Sequence, residues 1–148
     1  NNIIAHSSAM YRRNSALSVG GYPSEYAYAQ DYGLWIRLCQ IGAIKYMNQP
    51  LTSLRTHFDQ MSVIPEYVYS RNYDVIRILR EAQKLHSLDT VTKAKNREAY
   101  SRECLKYAKN LVKNRSALSA IGWILTAFFT DPLSAARSIV AHYKINSV

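Results

Sequence analysis

Cysteine is scarce in this chain, with only Cys39 and Cys104 among 148 residues. The two make no CxxC pair and no zinc-ligand spacing, which excludes a metal-knuckle or disulfide-framework protein. Both fall in apolar patterns of helical spacing and read as buried free thiols in a reducing compartment, with a single disulfide between them as the alternative. A Walker loop, a GxGxxG turn and a Ser/His/Asp nucleophile set are missing as well. No apolar run is long enough to cross a bilayer. Ala117 to Phe129 is apolar nearly all round, but with its flanks it is about 14 residues against the roughly 20 a span requires. It reads as a central bundle helix, with an interfacial anchor as the second reading. There is no basic segment followed by a long apolar core, so no secretory signal pattern is visible. Internal repeats and low-complexity tracts are absent, and 48% hydrophobic content points to a folded chain.

Acidic residues are the other shortage: 10 Asp and Glu stand against 19 Lys and Arg, a formal net charge of +9. Residues 61–148 hold 14 of the basic residues and 7 of the acidic ones, so +7 of the excess lies in the C-terminal part. The basic residues alternate with apolar ones at helical spacing and form no run. That pattern is the ordinary signature of a solvated helix face and is also compatible with an anionic membrane surface. No nucleic-acid reader motif accompanies the charge, and nucleic acid is not expected as a partner. Twelve tyrosines supply amphipathic rings that suit sugar faces, membrane interfaces and half-buried positions alike.

The chain divides by texture near residue 63. Ile3 to Arg12 reads as a strand, Ser15 to Val19 as one helical turn, and residues 20–29 as a surface loop entered through Gly20-Gly21 and set by Pro23. Leu34, Trp35, Leu38 and Ile41 recur at helical spacing behind Asp31, which stands at or just inside a helix N-terminus, with Gly42 as the stop. Ile44 to Thr56 suggests a strand, a turn at Asn48-Gln49-Pro50 and a second extended piece. Beyond Pro65, helices are expected at about 65–85, 89–113, 116–129 and 132–143, the last opened by Asp131-Pro132.

Three short motifs follow one another in the first part: Gly20-Gly21-Tyr22, then Gln30-Asp31-Tyr32-Gly33-Leu34-Trp35-Ile36-Arg37, then Leu54-Arg55-Thr56-His57-Phe58-Asp59-Gln60-Met61-Ser62. Their order resembles the C-terminal half of the catalytic domain of family 2 glycosyltransferases of the GT-A fold. The resemblance covers roughly residues 1–62. It implies an α/β class, with a partial GT-A-like lobe of a few strands and a short helix over 1–62 and a helical appendage over 63–148. It also implies a nucleotide-sugar donor, a sugar or lipid-linked sugar acceptor, and a divalent metal, Mn or Mg. That family holds the metal with an Asp-x-Asp motif, which does not occur here, so the chain is expected to be a fragment whose donor-binding lobe lies outside it. The expected setting is cell-envelope polysaccharide or glycolipid synthesis, in the cytoplasm or peripheral at the inner face of the membrane.

Transfer of a sugar to a hydroxyl needs a base for the hydroxyl proton, and a carboxylate is the ordinary choice. By the resemblance Asp31 is that base, kept ionised by the helix N-terminus; its bland alternative is a helix cap. The family usually has Glu before this Asp, whereas this chain has Gln30, which can hydrogen-bond but adds no charge. Gly20, Gly21, Tyr22, Gln30 and Trp35 are the candidate acceptor contacts, although Trp35 also fits a core position. Arg55 and His57 are the candidate diphosphate contacts. Arg55 could instead hold Asp59 or Asp31, and His57 either ligates the metal or hydrogen-bonds a loop. His6, His86 and His142 read as structural or solvated. The alternative function is a non-catalytic basic helical module that binds a partner protein or an anionic membrane.

Overall fold

The computed structural model describes residues 4–85, 88–114 and 116–146, and among these every regular element is helical. A 3-10 turn, His6–Ser8, is followed by α1 (Arg13–Ser18), α2 (Gln30–Leu38), α3 (Pro65–Gln83), α4 (Thr90–Lys113), α5 (Ala117–Thr130) and α6 (Pro132–Asn146). The expected α/β class with a GT-A-like lobe is therefore corrected to an all-α arrangement: no strand or sheet forms among the described residues. Where a strand was expected at 3–12, the 3-10 turn occupies the middle, and the backbone is extended at Ala9 and Arg12 with no ladder. Ile3 lies outside the described residues. The second expected strand region, 44–56, is irregular and exposed throughout. An extended segment needs a neighbour to take its N–H and C=O groups, and its sequence pattern does not supply one.

The chain falls into two compact units, Asn1–Asp74 and Val75–Val148, with the division inside α3. In the first, Ala16 of α1 and Leu34 and Trp35 of α2 form a small core, flanked by Ile4, Ala9, Val19 and Leu38. Leu34 is fully buried, which contributes roughly 1.5–3 kcal/mol by area removed from water.

In the second unit α4, α5 and α6 pack on one another. Small residues make that approach possible: Ala108 of α4, Ala120 and Ala127 of α5 and Ala135 of α6 are all buried. Ser101 of α4 donates its hydroxyl to the Ala127 carbonyl at 3.1 Å, and Tyr107 meets the Trp123 ring edge-on at 5.2 Å. The helix starts have clear local causes. Asp89 caps α4 by accepting from the Thr92 N–H and hydroxyl, both at 2.8 Å. Asp131 accepts from the Ser134 N–H at 3.0 Å, with Pro132 as the first residue of α6. No helix among the described residues is long and apolar enough to cross a membrane.

Candidate functional site

The site begins at the end of α1. Gly20 and Gly21 have φ of +86° and +68°, the left-handed region that side chains disfavour. Their N–H groups close the helix in a paired fashion: Gly21 donates to the Ala16 carbonyl at 2.8 Å and Gly20 to the Leu17 carbonyl at 3.0 Å. These two hydrogen bonds reverse the chain and bring Tyr22 back to His6 of the 3-10 turn.

The loop from 20 to 29 is then fixed at three points. Pro23 and Tyr26 rest on the bare backbone of Gly33 in α2, where an added Cβ would lie 2.6 Å from Pro23 Cγ and 3.0 Å from Tyr26 Cδ2. Glu25 pairs with Arg37 in the last turn of α2 at 2.6 Å. The Tyr28 N–H donates to Asp74 Oδ2 at 2.8 Å, beside a tilted contact of the Tyr28 and Tyr67 rings. Asp74 is buried, so this charge-assisted bond is made away from water, where it is strong.

Tyr22 is the hub. Its hydroxyl lies 2.7 Å from His6 Nε2 and 2.7 Å from the Tyr11 hydroxyl. Burial of the phenol, then the Tyr11 hydroxyl and then the Asp31 carboxylate push its pKa up to about 12. The phenol therefore keeps its proton at neutral pH. Its O–H can donate to His6 Nε2 while its oxygen accepts from Tyr11, or its oxygen can accept from a His6 N–H while its O–H donates to Tyr11. Both ring partners also meet Trp35 edge-on, His6 at 6.3 Å and Tyr11 at 5.5 Å between ring centres.

Asp31 stands in the first turn of α2, one residue after Gln30, and its Oδ1 accepts from the Tyr32 N–H at 2.7 Å. It is not the helix cap, a position taken by Ala29, whose side chain makes no capping bond. The carboxylate is half-buried in the first turn of α2. Its charge is the least of the causes that raise the Tyr22 phenol.

The other expected residues divide. Gln30 is exposed beside Asp31. Trp35 is 5% exposed and belongs to the core behind the site; its indole N–H is buried with no hydrogen-bond partner. Arg55 and His57 are exposed in the irregular segment and join neither Asp31 nor Tyr22. Among the described residues no three of His, Cys, Asp and Glu stand together as a metal site. Cys104 is buried as expected, whereas Cys39 is exposed just past the end of α2. His86 lies outside the described residues.

Sequence reasoning missed His6 and Tyr11 as members of the site. Sixteen and eleven residues from Tyr22, they carry no spacing signal; only the reversal at Gly20-Gly21 brings them to it. Together the groups offer an exposed imidazole, two phenols and a carboxylate within one surface patch, a set suited to hydrogen-bonding a polyhydroxylated ligand and taking a proton from it. No protein-family model, curated protein or solved structure matches this chain.

Proposed function

We propose that this chain forms the acceptor-side part of an inverting glycosyltransferase, in which Asp31 takes the proton of the acceptor hydroxyl. The carrying observation is that the loop following Gly20-Gly21-Tyr22 is held against α2, the helix that opens with Gln30-Asp31, through Pro23 and Tyr26 on the bare backbone of Gly33. The order of the three sequence motifs supports the same reading. The proposal rests on these residues and not on a nucleotide-binding sheet, which the described residues do not contain.

The acceptor oxygen attacks the anomeric carbon of a nucleotide-sugar, the bond to the diphosphate breaks, and the hydroxyl proton passes to an Asp31 oxygen. The configuration inverts because attack and departure occur on opposite faces. Tyr22, protonated and oriented by His6 and Tyr11, donates to or accepts from a neighbouring sugar hydroxyl and so fixes the reacting one near Asp31. Arg55 and His57, exposed on the irregular segment, meet the diphosphate in this reading. No step in this reading runs through a metal. A lipid-linked sugar at the inner, cytoplasmic face of a membrane is the acceptor that best fits a chain of this charge.

The test is transfer from labelled nucleotide-sugars by a protein carrying this chain together with a donor-binding part. Asp31→Asn keeps the shape of the side chain and removes the base, so turnover should fall on the order of 10²–10⁴-fold with unchanged circular dichroism. Glu81→Gln, at an exposed carboxylate in the second unit, should retain the rate. Near-normal transfer by Asp31→Asn would exclude Asp31 as the base.

A further inference from the structure

We infer that the outer face of α5 and α6 is a lipid-insertion surface that seats the second unit in the plane of an anionic bilayer. The inference shares with the proposed function only its location and does not depend on glycosyl transfer. α5 is apolar on two opposite sides. Its inner side, Ala120 and Ala127, is buried. Its outer side carries Leu118, Ile121, Leu125 and Phe129, three or four residues apart and therefore one stripe along the helix. Leu118 and Phe129 are each 87% exposed. The stripe is taken up on α6 by Leu133 and Val140, also exposed.

The stripe of Leu118, Ile121, Leu125 and Phe129 includes no polar side chain, and Ser119 lies off it. The helix has no charged residue, and the hydroxyls of Thr126 and Thr130 are bonded at 2.8 Å to the carbonyls of Gly122 and Thr126, one turn back in the same helix. A helix of 14 residues is about 21 Å long, short of the roughly 30 Å hydrocarbon core. It can therefore lie in the interface and cannot cross it.

The charge of the unit selects the kind of surface. Residues 75–148 contain 13 Lys and Arg against 5 Asp and Glu, and each of the five acids is already engaged nearby. Glu81 pairs with Lys84, Glu98 with Arg102 and Glu103 with Lys106, while Asp89 and Asp131 bond the first turns of α4 and α6. Lys93, Lys95, Arg97, Lys113 and Arg137 are exposed. Lys113 ends α4 just before the stripe begins, and Arg137 lies between Leu133 and Val140 on α6. A second copy of the chain would bring this net +8 against its like, whereas anionic headgroups complement it.

The decisive experiment uses the full chain with Phe129→Trp and vesicles of equimolar phosphatidylcholine and phosphatidylglycerol, or of phosphatidylcholine alone. With the anionic vesicles the emission attributable to the introduced indole should shift to the blue and be quenched by lipids brominated on the acyl chain; with neutral vesicles binding should be much weaker. Leu125→Glu with Phe129→Glu should lower partitioning on the order of 10-fold or more, and Lys113→Glu with Arg137→Glu should lower it at low salt. Both substituted pairs are exposed, and circular dichroism verifies that they fold. An indole that remains solvent-like on bound vesicles would overturn the inference, leaving charge adsorption alone. So would binding indifferent to the double glutamate variant, or a lipid-free dimer in sedimentation equilibrium that the same variant dissociates.

Discussion

Gly33→Ala tests whether the glycine loop is truly seated on α2. In an open helix this change would stabilise by about 1 kcal/mol, because alanine has less conformational freedom to lose. Here the new Cβ would stand 2.6 Å from Pro23 Cγ, roughly 1 Å inside ordinary carbon–carbon contact. The proline is fully buried and its ring has no rotamer that swings clear, while Tyr26 Cδ2 closes the other side at 3.0 Å. Overpacking of this kind costs about 1–3 kcal/mol, and with an immobile neighbour the upper half of the range applies, for a net destabilisation of about 1–2 kcal/mol. Gly42→Ala is the control, since an added Cβ there meets nothing within 4 Å, and it should stay within about 0.5 kcal/mol of the parent. Urea titrations read by tryptophan fluorescence give both differences. The consequence for the site is a second readout: Tyr22 precedes Pro23, so displacement of the loop should shift the His6 and Tyr22 ring resonances in Gly33→Ala and leave them in place in Gly42→Ala. A Gly33→Ala protein as stable as the parent or more so, with those resonances unmoved, would refute the packing of the loop on α2.

The helices were legible because their signals are local. Pro65 and Asp131-Pro132 mark the first residues of α3 and α6, Asp89 caps α4, and Asp31 falls in the first turn of α2. In each case the bonds at issue join residues within four positions, so the sequence neighbourhood contains both partners. The strands were misread for the opposite reason. Ala9 and Arg12 have extended backbone, as their residues favour, but a ladder requires a second segment at the right register, and apolar alternation does not reveal whether one is present. Leu51 and Leu54 in the second expected strand region are mostly exposed, which shows that an apolar residue in an extended pattern carries no guarantee of a face to bury it.

The site was half legible. Gly20-Gly21, Tyr22 and Asp31 were singled out by the family resemblance, while the sequence itself marked only the reversal at Gly20-Gly21 and the place of Asp31 at a helix start. His6 and Tyr11 could not, since they reach Tyr22 only through the packing of the 3-10 turn and α1 on α2. Cys39 shows a smaller failure of the same type. Its helical spacing predicts burial, yet α2 stops at Leu38 and leaves it on the surface. Where a helix ends decides which periodic positions count.

Two further outcomes follow from the cap of α4 and from the buried thiol. Asp89→Ala should let the first turn of α4 exchange its amide hydrogens faster, because the Thr92 N–H loses its acceptor. That N–H and the Thr92 hydroxyl hold the Asp89 carboxyl below its ordinary 3.8, so its contribution is present above that value and disappears as pH falls through the lowered one. At Cys104 the direction is reversed: burial pushes the thiol from 9.0 up to about 12. The folded chain therefore keeps this proton in a range where the unfolded chain gives it up, and the unfolded state binds fewer protons as pH rises above 9. The stabilisation is complete below the unfolded value and is lost progressively toward the folded one, so unfolding should become easier between about pH 9 and 12. Cys104→Ala leaves a small cavity but should flatten that alkaline limb, which denaturant titrations at neutral and alkaline pH would show. A thiol reagent at neutral pH provides the independent measure. One equivalent should react in the folded protein, at exposed Cys39 and slowed by the partial desolvation that raises its thiol, and the second only after denaturation. Two equivalents reacting at equal rates under native conditions would show that Cys104 is not enclosed between the helices, and the alkaline limb would then require another origin.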